Sequence, residues 1–479
     1  MKLFSEIPTM PLVPELRAVL TGDVIAPSAP GYDEARAIFF GGCDRRPTAI
    51  VRPADATDIS RVVDLAREGG VELAVRSGGH SFAGHGTTDG GIVLDLSHMK
   101  SLEIDFERRT AWAQTGLTAG EYTVATGAYG LATSFGDTGS VGIGGITLGG
   151  GIGYLARKHG LTIDSLLAAE IVTADGELRH VDAESDPDLF WAIRGGGGNF
   201  GIATRFKFRL HEVDTVVGGL LVLPATPDVI ASFIAAAEAA PDELSTVANV
   251  LPAPPVPFLP PEHRGQLVVM AMLVYAGDVD SGNRAIAPFR ALATPFADMI
   301  RPMPYPTMYS FSEGGDNSVA VVRTMFIDTV DQGMAETLLG HLREGTAPRR
   351  AAQLRVLGGA IARVPDAATA FAHRRRRVLV TVAAMGGRPD EMVAHEAWAT
   401  AFASALSHDT PGAYVGFLGN EGEARVREAY PRPTWDRLVA IKNRYDPTNV
   451  FRLNQNIAPT DWQMEKNGGG ETSWGRIGG

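Results

Sequence analysis

The chain of 479 residues is 45% hydrophobic and carries a formal net charge of −12 at pH 7. Its length exceeds one ordinary domain, so two domains are expected, and its acidity argues against a nucleic-acid partner because phosphate backbones bind basic surfaces. No secretory signal pattern and no apolar run of membrane-spanning length is visible, so we expect a cytoplasmic protein with no membrane partner. The single cysteine, Cys43, excludes an internal disulfide and a thiolate-rich metal site, and no metal is expected.

The first 215 residues predict short strands that alternate with helices. The strand, helix, strand order at their start is a βαβ unit, and α/β folds place ligands in the loop at the end of such a unit. In chain order, the patterns predict a strand over 47–52, a helix from a Thr57 cap, strands over 71–75 and 92–96, a hairpin over 102–114, a helix from a Thr118–Glu121 capping box to Tyr129, a hairpin over 170–181, a helix from Ser185 and an alternating strand over 202–210.

A change of composition near residue 216 predicts a domain boundary, because prolines become frequent there and the glycine-rich signature stops. The region beyond it predicts a sheet with helices on one face. Its predicted helices span 228–240 and 390–406, and its predicted strands span 266–275, 353–362, 377–384 and 413–418. An amphipathic helix over 435–446 stops at Pro447, and the glycine-rich tail from Asn467 is expected to be disordered.

Two glycine-rich segments, 76–84 and 136–153, predict a site for a phosphorylated ligand, because glycine lets backbone N–H groups approach an anion closely. No Gly-Lys-Ser/Thr follows a glycine loop, which excludes a P-loop nucleoside triphosphatase. A Rossmann fingerprint is the alternative, since Gly151–Ala156 has the G-x-G-x-x-A form and Glu170 follows at the required distance of about 20 residues. It is disfavoured because no hydrophobic strand precedes Gly151.

A longer series of segments carries a more specific signal. In order, the chain contains Val75–Ser81, Gly91–Ser97, the 136–153 stretch, Arg157–Asp164, Asp188–Gly201 and Tyr445–Pro459. Together they resemble the berberine bridge enzyme-like branch of the vanillyl-alcohol oxidase flavoproteins, and the last segment is similar to that family's closing signature.

The resemblance implies FAD as the cofactor and an α+β fold in which a two-part PCMH-type FAD-binding α/β domain accompanies a substrate domain, the latter an antiparallel sheet covered by helices. It divides the chain into an N-terminal segment 1–30, an FAD-binding domain 31–215, a substrate domain 216–430, a C-terminal return to the FAD-binding domain over 431–466 and a flexible tail 467–479.

The resemblance also assigns roles to single residues. A lone loop histidine is more often bonded to nearby backbone, but His80, between Gly79 and Ser81, resembles the family histidine that bonds covalently to the flavin 8α-methyl group. Such a bond prevents cofactor loss and raises the flavin's redox potential. Thr138 stands where some members have a second linking cysteine, so a single link is implied. Val141 falls at the family's oxygen gate, where a small side chain is associated with oxidases; ordinary core packing is the alternative.

The predicted cofactor-binding residues lie in or directly after the two glycine segments, in the Gly201 turn and in the closing signature. His85 is included although a structural role is the stronger interpretation. They are Arg76, Ser77, Gly78, Gly79, His80, Ser81, Gly84, His85, Gly136, Asp137, Thr138, Ser140, Val141, Gly144, Gly145, Gly149, Gly153, Tyr154, Gly201, Ile202, Asn454 and Asn456.

The catalytic machinery is less well defined by the sequence. Phe417 stands where several relatives have a tyrosine base, and phenylalanine cannot take a proton. Tyr414 is the remaining candidate, with core packing as the alternative. The run Arg374–Arg377 could attract an anionic substrate, yet a charge run is usually a solvated edge.

These observations predict an FAD-dependent oxidase of a small organic molecule, with O2 as electron acceptor and hydrogen peroxide as product. Two alternatives stay open, a flavin dehydrogenase that uses another acceptor and a binding protein that retains the fold without turnover. The substrate, whether an alcohol, a sugar, a phenolic or polyketide-type compound or an amine, and the oligomeric state stay open as well.

Overall fold

The computed structural model describes residues 12–312, 318–407 and 411–462, so the predicted flexible tail lies outside the described residues. Three sheets organise the chain. The first has four strands, of which the last three are mutually parallel and the first is antiparallel. Their order across the sheet is Asp23–Ile25, Ala49–Arg52, Ile92–Asp95 and Leu73–Arg76.

The crossover helix of this first sheet spans Ala56–Glu68. Its predicted cap is wrong: Asp55, not Thr57, lies at the N-cap, and the Asp55 carboxylate accepts hydrogen bonds from the backbone N–H groups of Thr57 and Asp58. Aspartate directly before the first turn also suits the positive end of the helix dipole.

The second sheet is wholly antiparallel. Across it the strands lie in the order Leu102–Asp105, Thr110–Gln114, Ile202–Arg209, Leu166–Val172 and Leu178–Asp182. The strand Ile202–Arg209 buries Phe206 and Phe208 completely, as its alternation predicts. The helix Ala119–Gly127 has the predicted capping box between Thr118 and Glu121 and ends two residues before Tyr129.

The third and largest sheet, called here the large sheet, has eight antiparallel strands. Seven lie in the order Ala297–Asp298, Thr215–Pro224, Leu267–Tyr275, Leu244–Pro252, Arg349–Val356, Val378–Met385 and Ala320–Ile327. The eighth, Arg301–Pro304, also pairs with Thr215–Pro224. A further two-residue pair joins Leu131–Ala132 to His211–Glu212.

Four helices cover one face of the large sheet: Pro227–Ala239, Val279–Arg290, Gln332–Glu344 and Met392–Leu406. Alternate residues of the strand Thr215–Pro224 pack on opposite faces of the large sheet. Leu221 and Leu223 pack in the cluster that contains the helices, whereas Leu220 and Val222 pack on the opposite face with Tyr154. Tyr154 directly follows the second glycine segment. This segment therefore leads into the layer that packs on the sheet face without helices. This arrangement confirms the predicted α+β class and the sheet with helices on one face.

Two predicted strands differ from the structure. The run 413–418 is no strand, because Val415–Phe417 forms one 3₁₀ turn closed by the Phe417 N–H bond to the Tyr414 carbonyl. The strand predicted over 353–362 ends at Val356, since Gly358 and Gly359 adopt φ angles of +97° and +54° that leave the extended region.

The remaining helices are shorter, apart from the last. They span Leu12–Val19, Tyr32–Ala35, Ile143–Gly149, Ala156–His159, Pro187–Ala192, Ala360–Arg363, Glu423–Ala429 and Arg432–Tyr445. Within the described ranges no helix has both the length and the apolar character needed to cross a bilayer.

A buried ammonium group attaches the last helix, Arg432–Tyr445, to the part of the molecule that contains the second sheet. The Lys442 ammonium has no exposed surface and donates to the Asn199 carbonyl at 2.8 Å, the Phe451 carbonyl at 3.0 Å and the Asp446 carboxylate at 2.5 Å. Burial lowers the pKa of Lys442, and the Asp446 carboxylate opposes that shift. One ammonium thus ties three parts of the chain together.

We expect Lys442→Met to lower the free energy of unfolding by about 3–5 kcal/mol, because it leaves Asp446 buried and unpaired. The measurement is equilibrium denaturation of the purified protein, monitored by circular dichroism. Arg432→Met, at a side chain 92% exposed on the same helix, is the matched control and should change stability by less than about 0.5 kcal/mol. Equal effects of the two substitutions would contradict this account of the Lys442 network.

Candidate active site

The two glycine segments cross each other in direct backbone contact. A Cβ atom on Gly142 would lie 2.1 Å from the Ser77 hydroxyl oxygen and 2.3 Å from the Gly78 nitrogen. A Cβ on Gly78 would likewise lie 2.3 Å from the Gly142 nitrogen. The Ser77 hydroxyl fixes the crossing, since it donates to the Thr115 carbonyl at 2.5 Å and accepts from the Gly144 N–H at 3.3 Å. Only glycine fits at both positions.

His80 lies beside this crossing. Its ring stacks on Phe39 with 3.9 Å between ring centroids, and its Nε2 is 3.2 Å from the Ser140 hydroxyl of the second segment. Burial lowers the pKa of His80 to about 4, only partly opposed by the hydrogen bond with Ser140. The imidazole is therefore neutral near pH 7 and keeps one nitrogen lone pair.

His85 shares the same loop without the same contacts. Its backbone N–H donates to the Ser81 hydroxyl at 3.4 Å, and burial followed by the charge of Arg45 lowers its pKa to about 4. Gly84 precedes it with φ of +71°, and a Cβ there would lie 2.6 Å from the Cys43 sulfur. Cys43 thus has a packing role at this loop.

The side chain of Arg76 is bonded to other parts of the fold. Its guanidinium is buried and donates to the carbonyls of Ala35 and Ala37 at 2.5 and 3.0 Å and to the Asp95 carboxylate at 2.9 Å. The guanidinium therefore has internal partners and holds the 35–37 segment against the first sheet. Only the backbone of Arg76 remains for a ligand.

The second glycine segment folds as a loop followed by the helix Ile143–Gly149. The Rossmann alternative is wrong because this helix, rather than a strand, precedes Gly151. Gly145 is exposed and a Cβ there would meet nothing within 4 Å, which leaves open space above the helix. Gly153, in contrast, is tightly packed, since its Cβ would lie 1.7 Å from the Phe135 carbonyl oxygen.

The loop 136–141, which precedes the helix Ile143–Gly149, contains several of the predicted cofactor-binding residues. The Gly136 carbonyl accepts from the Tyr309 hydroxyl at 3.3 Å, and Thr138 donates to Asp137 at the same distance. Val141 is half-buried beside Gly142, and its carbonyl accepts from the Ala119 N–H at 2.8 Å.

The closing signature is brought to the same place by Asn199, a residue that the sequence analysis did not single out. The Asn199 amide donates to the carbonyls of Gly196 and Gln455 at 2.9 and 3.1 Å and accepts from the Ile457 N–H at 2.8 Å. The Gly195 N–H donates to the Leu148 carbonyl, which joins this turn to the helix Ile143–Gly149. The sequence feature that could have identified Asn199 is its position in the run Gly-Asn-Phe-Gly.

Asn454 and Asn456 each have a buried side-chain oxygen without a hydrogen-bond partner among the described residues. An unpartnered buried acceptor costs free energy unless a ligand or water supplies a donor. Gly201 and Ile202 differ from them. A Cβ on Gly201 would lie 2.5 Å from the Ile171 side chain, and Ile202 packs in the core with Phe451, so both have a packing role.

Tyr414 also contacts the second glycine segment. Its hydroxyl accepts from the Gly151 N–H at 2.9 Å, and burial raises the pKa of Tyr414 to about 12. Tyr154 is buried as well, which raises its pKa further above the ordinary range. Phe417 packs on the Tyr414 ring with a 5.0 Å centroid distance.

A polar chain, called here the Arg355 chain, crosses from the large sheet to the loop 136–141. Gln353 donates to Asn249 at 2.8 Å and accepts from the Arg355 Nε and Nη2 at 3.0 and 2.7 Å. Arg355 Nη2 also donates to Asp137 at 2.7 Å. Strand registers place Asn249 beside Gln353, which the sequence pattern alone does not reveal.

The residues present fit a large, phosphorylated cofactor. The glycine crossing holds two backbone segments in a contact that any Cβ would break, Gly145 leaves space above a helix, and two asparagine oxygens need donors. Among the described residues no group of three or more His, Cys, Asp or Glu is arranged to hold a metal ion. A histidine beside two crossing glycine segments, next to a large antiparallel sheet, is the arrangement expected of a flavoprotein.

Comparison with known proteins gives the family. Residues 47–182 match the family described as FAD binding domain, and residues 413–458 match Berberine and berberine like. The chain is 30% identical over 456 residues to (R)-6-hydroxynicotine oxidase of Paenarthrobacter nicotinovorans, covering 92% of this chain and 97% of that one. The chain therefore belongs to the berberine bridge enzyme-like FAD-linked oxidoreductases, as the resemblance predicted.

Solved structures agree with this assignment. The crystal structure of 6-hydroxy-D-nicotine oxidase from Arthrobacter nicotinovorans matches with a TM-score of 0.83 at 28% identity, over 91% of this chain and 98% of that one. Glucooligosaccharide oxidase from Acremonium strictum, which has a 6-S-cysteinyl, 8α-N1-histidyl FAD, shares the fold with a TM-score of 0.82 at 22% identity, over 93% of this chain and 98% of that one.

Proposed function

We propose that the protein oxidises a small organic molecule and uses O2 as electron acceptor, with FAD attached covalently to His80. When bound, FAD would accept a hydride at N5 and deliver two electrons to O2, giving hydrogen peroxide. The observation that carries the proposal is the neutral His80 ring at the crossing of the two glycine segments. Its nitrogen lone pair suits bond formation to the flavin 8α-methyl group, which a protonated imidazole would not.

The residues that would hold the cofactor follow from the site. The backbone of 76–81 and of 140–145 would contact the pyrophosphate, while Asn454 and Asn456 would accept from donors of the ligand. Thr138 offers no thiol at the position where, as the resemblance implies, some family members have a second linking cysteine, so a single link is proposed. Val141, half-buried beside the crossing, would leave O2 access.

We extend the proposal to the domains. The FAD-binding domain would comprise 31–215 with the return 431–466. The second sheet and three strands of the first lie within these bounds, and Lys442 contacts both Asn199 and Phe451, whereas the strand Asp23–Ile25 of the first sheet lies in the predicted N-terminal segment. The substrate domain would comprise 216–430 and contains the large sheet but for the first residue of one strand.

Tyr414 has a positioning role in this proposal. Its hydroxyl holds the Gly151 N–H, and a pKa of about 12 keeps it protonated near pH 7, so it can donate a proton but is a poor base. The side chain thereby fixes the second glycine segment against the turn Val415–Phe417.

The test uses the purified holoprotein under anaerobic conditions. A panel of alcohols, sugars, phenols, aromatic ketones bearing a hydroxyl group and amines is mixed with it, and the 450 nm flavin band is followed. We expect at least one compound to bleach the band, and O2 to restore it within the turnover time with formation of hydrogen peroxide. Slow reoxidation by O2 with fast reoxidation by a quinone would favour a dehydrogenase, and a band that no compound bleaches would favour a binding protein.

A further inference from the structure

The Arg355 side chain is buried but has unused hydrogen-bond donors. Its side chain is 4% exposed, its Nε and Nη2 are bonded to Gln353 and Asp137, and its Nη1 has no partner within the described part of the chain. Buried guanidinium donors without acceptors are costly, so a ligand oxygen at Nη1 is the simplest explanation. None of the hydrogen bonds described above uses Arg355 Nη1.

The neighbours of Arg355 leave room for such a ligand. Asn249 and Gln353 lie on the two central strands of the large sheet, on the face without helices, and yet remain half-buried rather than fully buried. Side chains at the centre of a sheet packed against a second layer are normally covered. Their partial exposure shows that the second layer does not cover them completely, which leaves space beside the Arg355 chain.

One wall of this space is aromatic. The Arg355 guanidinium lies 5.1 Å from the centroid of the Phe417 ring, and ring contacts continue from Phe417 to Phe82, from Phe82 to Phe40 and from Phe40 to His80. All three phenylalanines are half-buried. A row of rings therefore connects Arg355 with the proposed attachment point of the flavin, and rings of this kind pack on flat apolar ligands.

The charges around Arg355 restrict the chemical class of the ligand further. Asp137 already neutralises Arg355, so no net positive charge remains to be balanced by an anion. A protonated amine carries only hydrogen-bond donors, as Arg355 Nη1 does, so the two groups cannot bond to each other. An uncharged acceptor oxygen fits both conditions.

We propose that Arg355 binds the substrate through Nη1, and that the substrate is a flat, apolar compound with a carbonyl-type oxygen. This inference rests on the proposed function and names its substrate class. It makes Arg355 a specificity residue and disfavours amine substrates.

The experiment titrates flavin-loaded protein with acetophenone, with ethylbenzene, which lacks the oxygen, and with benzylammonium, following the visible spectrum of the flavin. We expect acetophenone to bind on the order of 10- to 100-fold more tightly than ethylbenzene, as one hydrogen bond to a charged donor provides. Arg355→Met should abolish that preference. The double variant Asp137→Asn with Arg355→Met, which leaves no unpaired charge, should abolish it too and serves if the single variant does not fold.

Arg323→Met is the matched control, because Arg323 lies on the same sheet but pairs with Glu396 of a helix on the opposite face. It should keep the acetophenone preference. A preference that persists in the Arg355 variants, an absence of preference in the unsubstituted protein, or benzylammonium binding as tightly as acetophenone would overturn the inference. Protein purified without flavin would instead contradict the proposed function, so the two failures are distinguishable.

Discussion

Replacing His80 with alanine is expected to convert a covalent flavoprotein into one whose yellow colour is released completely on acid precipitation. The reason is chemical: in the proposed function the His80 imidazole, whose pKa burial lowers to about 4, would bond to the flavin, and alanine has no lone pair to offer. Non-covalent FAD should still bind, since the crossing itself does not involve the imidazole. The measurement is flavin absorbance in the pellet and in the supernatant after precipitation with trichloroacetic acid.

His85→Ala is the matched control for this experiment. His85 lies in the same loop and burial lowers its pKa to about the same value of 4, but its hydrogen bond within the described residues is a backbone N–H to Ser81 and not a bond to the second glycine segment. Its variant should keep all flavin in the pellet. Flavin retained by the His80 variant, or released from the His85 variant, would show that the attachment point is assigned to the wrong histidine.

Gly142→Ala is expected to abolish flavin incorporation. The backbone of Gly142 has φ of −68° and ψ of 135°, which alanine adopts without strain, so the effect comes from contact alone. The new methyl group would lie 2.1 Å from the Ser77 oxygen and 2.3 Å from the Gly78 nitrogen, which forces the two glycine segments apart. Overpacking of this kind costs about 1–3 kcal/mol, and here it would displace the two segments that are proposed to hold the cofactor.

The measurement is the ratio of flavin to protein absorbance after purification, with circular dichroism as the check on folding. Gly340→Ala serves as control, because a Cβ there meets nothing within 4 Å and the residue lies in the helix Gln332–Glu344 on the far face of the large sheet. That variant should keep full flavin content. A folded Gly142 variant with normal flavin content would refute the crossing as the cofactor cradle.

Sequence reasoning predicted what depends on local pattern. The capping box at Thr118, the hairpin over 102–114 and the alternation along Ile202–Arg209 are set by neighbours in the chain, and the structure confirms them. The run 413–418 was predicted as a strand because it is apolar, but it pairs with none of the strands in the described ranges. There, Tyr414 reaches Gly151, 263 residues away, and this contact outweighs β propensity.

The site was predictable to the extent that its residues cluster in the sequence. The two glycine segments are visible as composition, whereas their contact through Gly78 and Gly142 is not. Asn199 and Arg355 act on partners 256 and 218 residues away, and their roles depend on strand registers and turns that periodicity does not encode. The internal partners of the Arg76 side chain, which include Ala35 and Asp95, were unpredictable for the same reason.

The most direct test of the central claim is the mass of the peptide that contains His80, taken from proteolysed wild-type protein purified under native conditions. We predict that this peptide has a mass increased by one covalently attached FAD and that fragmentation places the increase on His80. An unmodified His80 peptide, with all flavin recovered free in solution, would contradict the account.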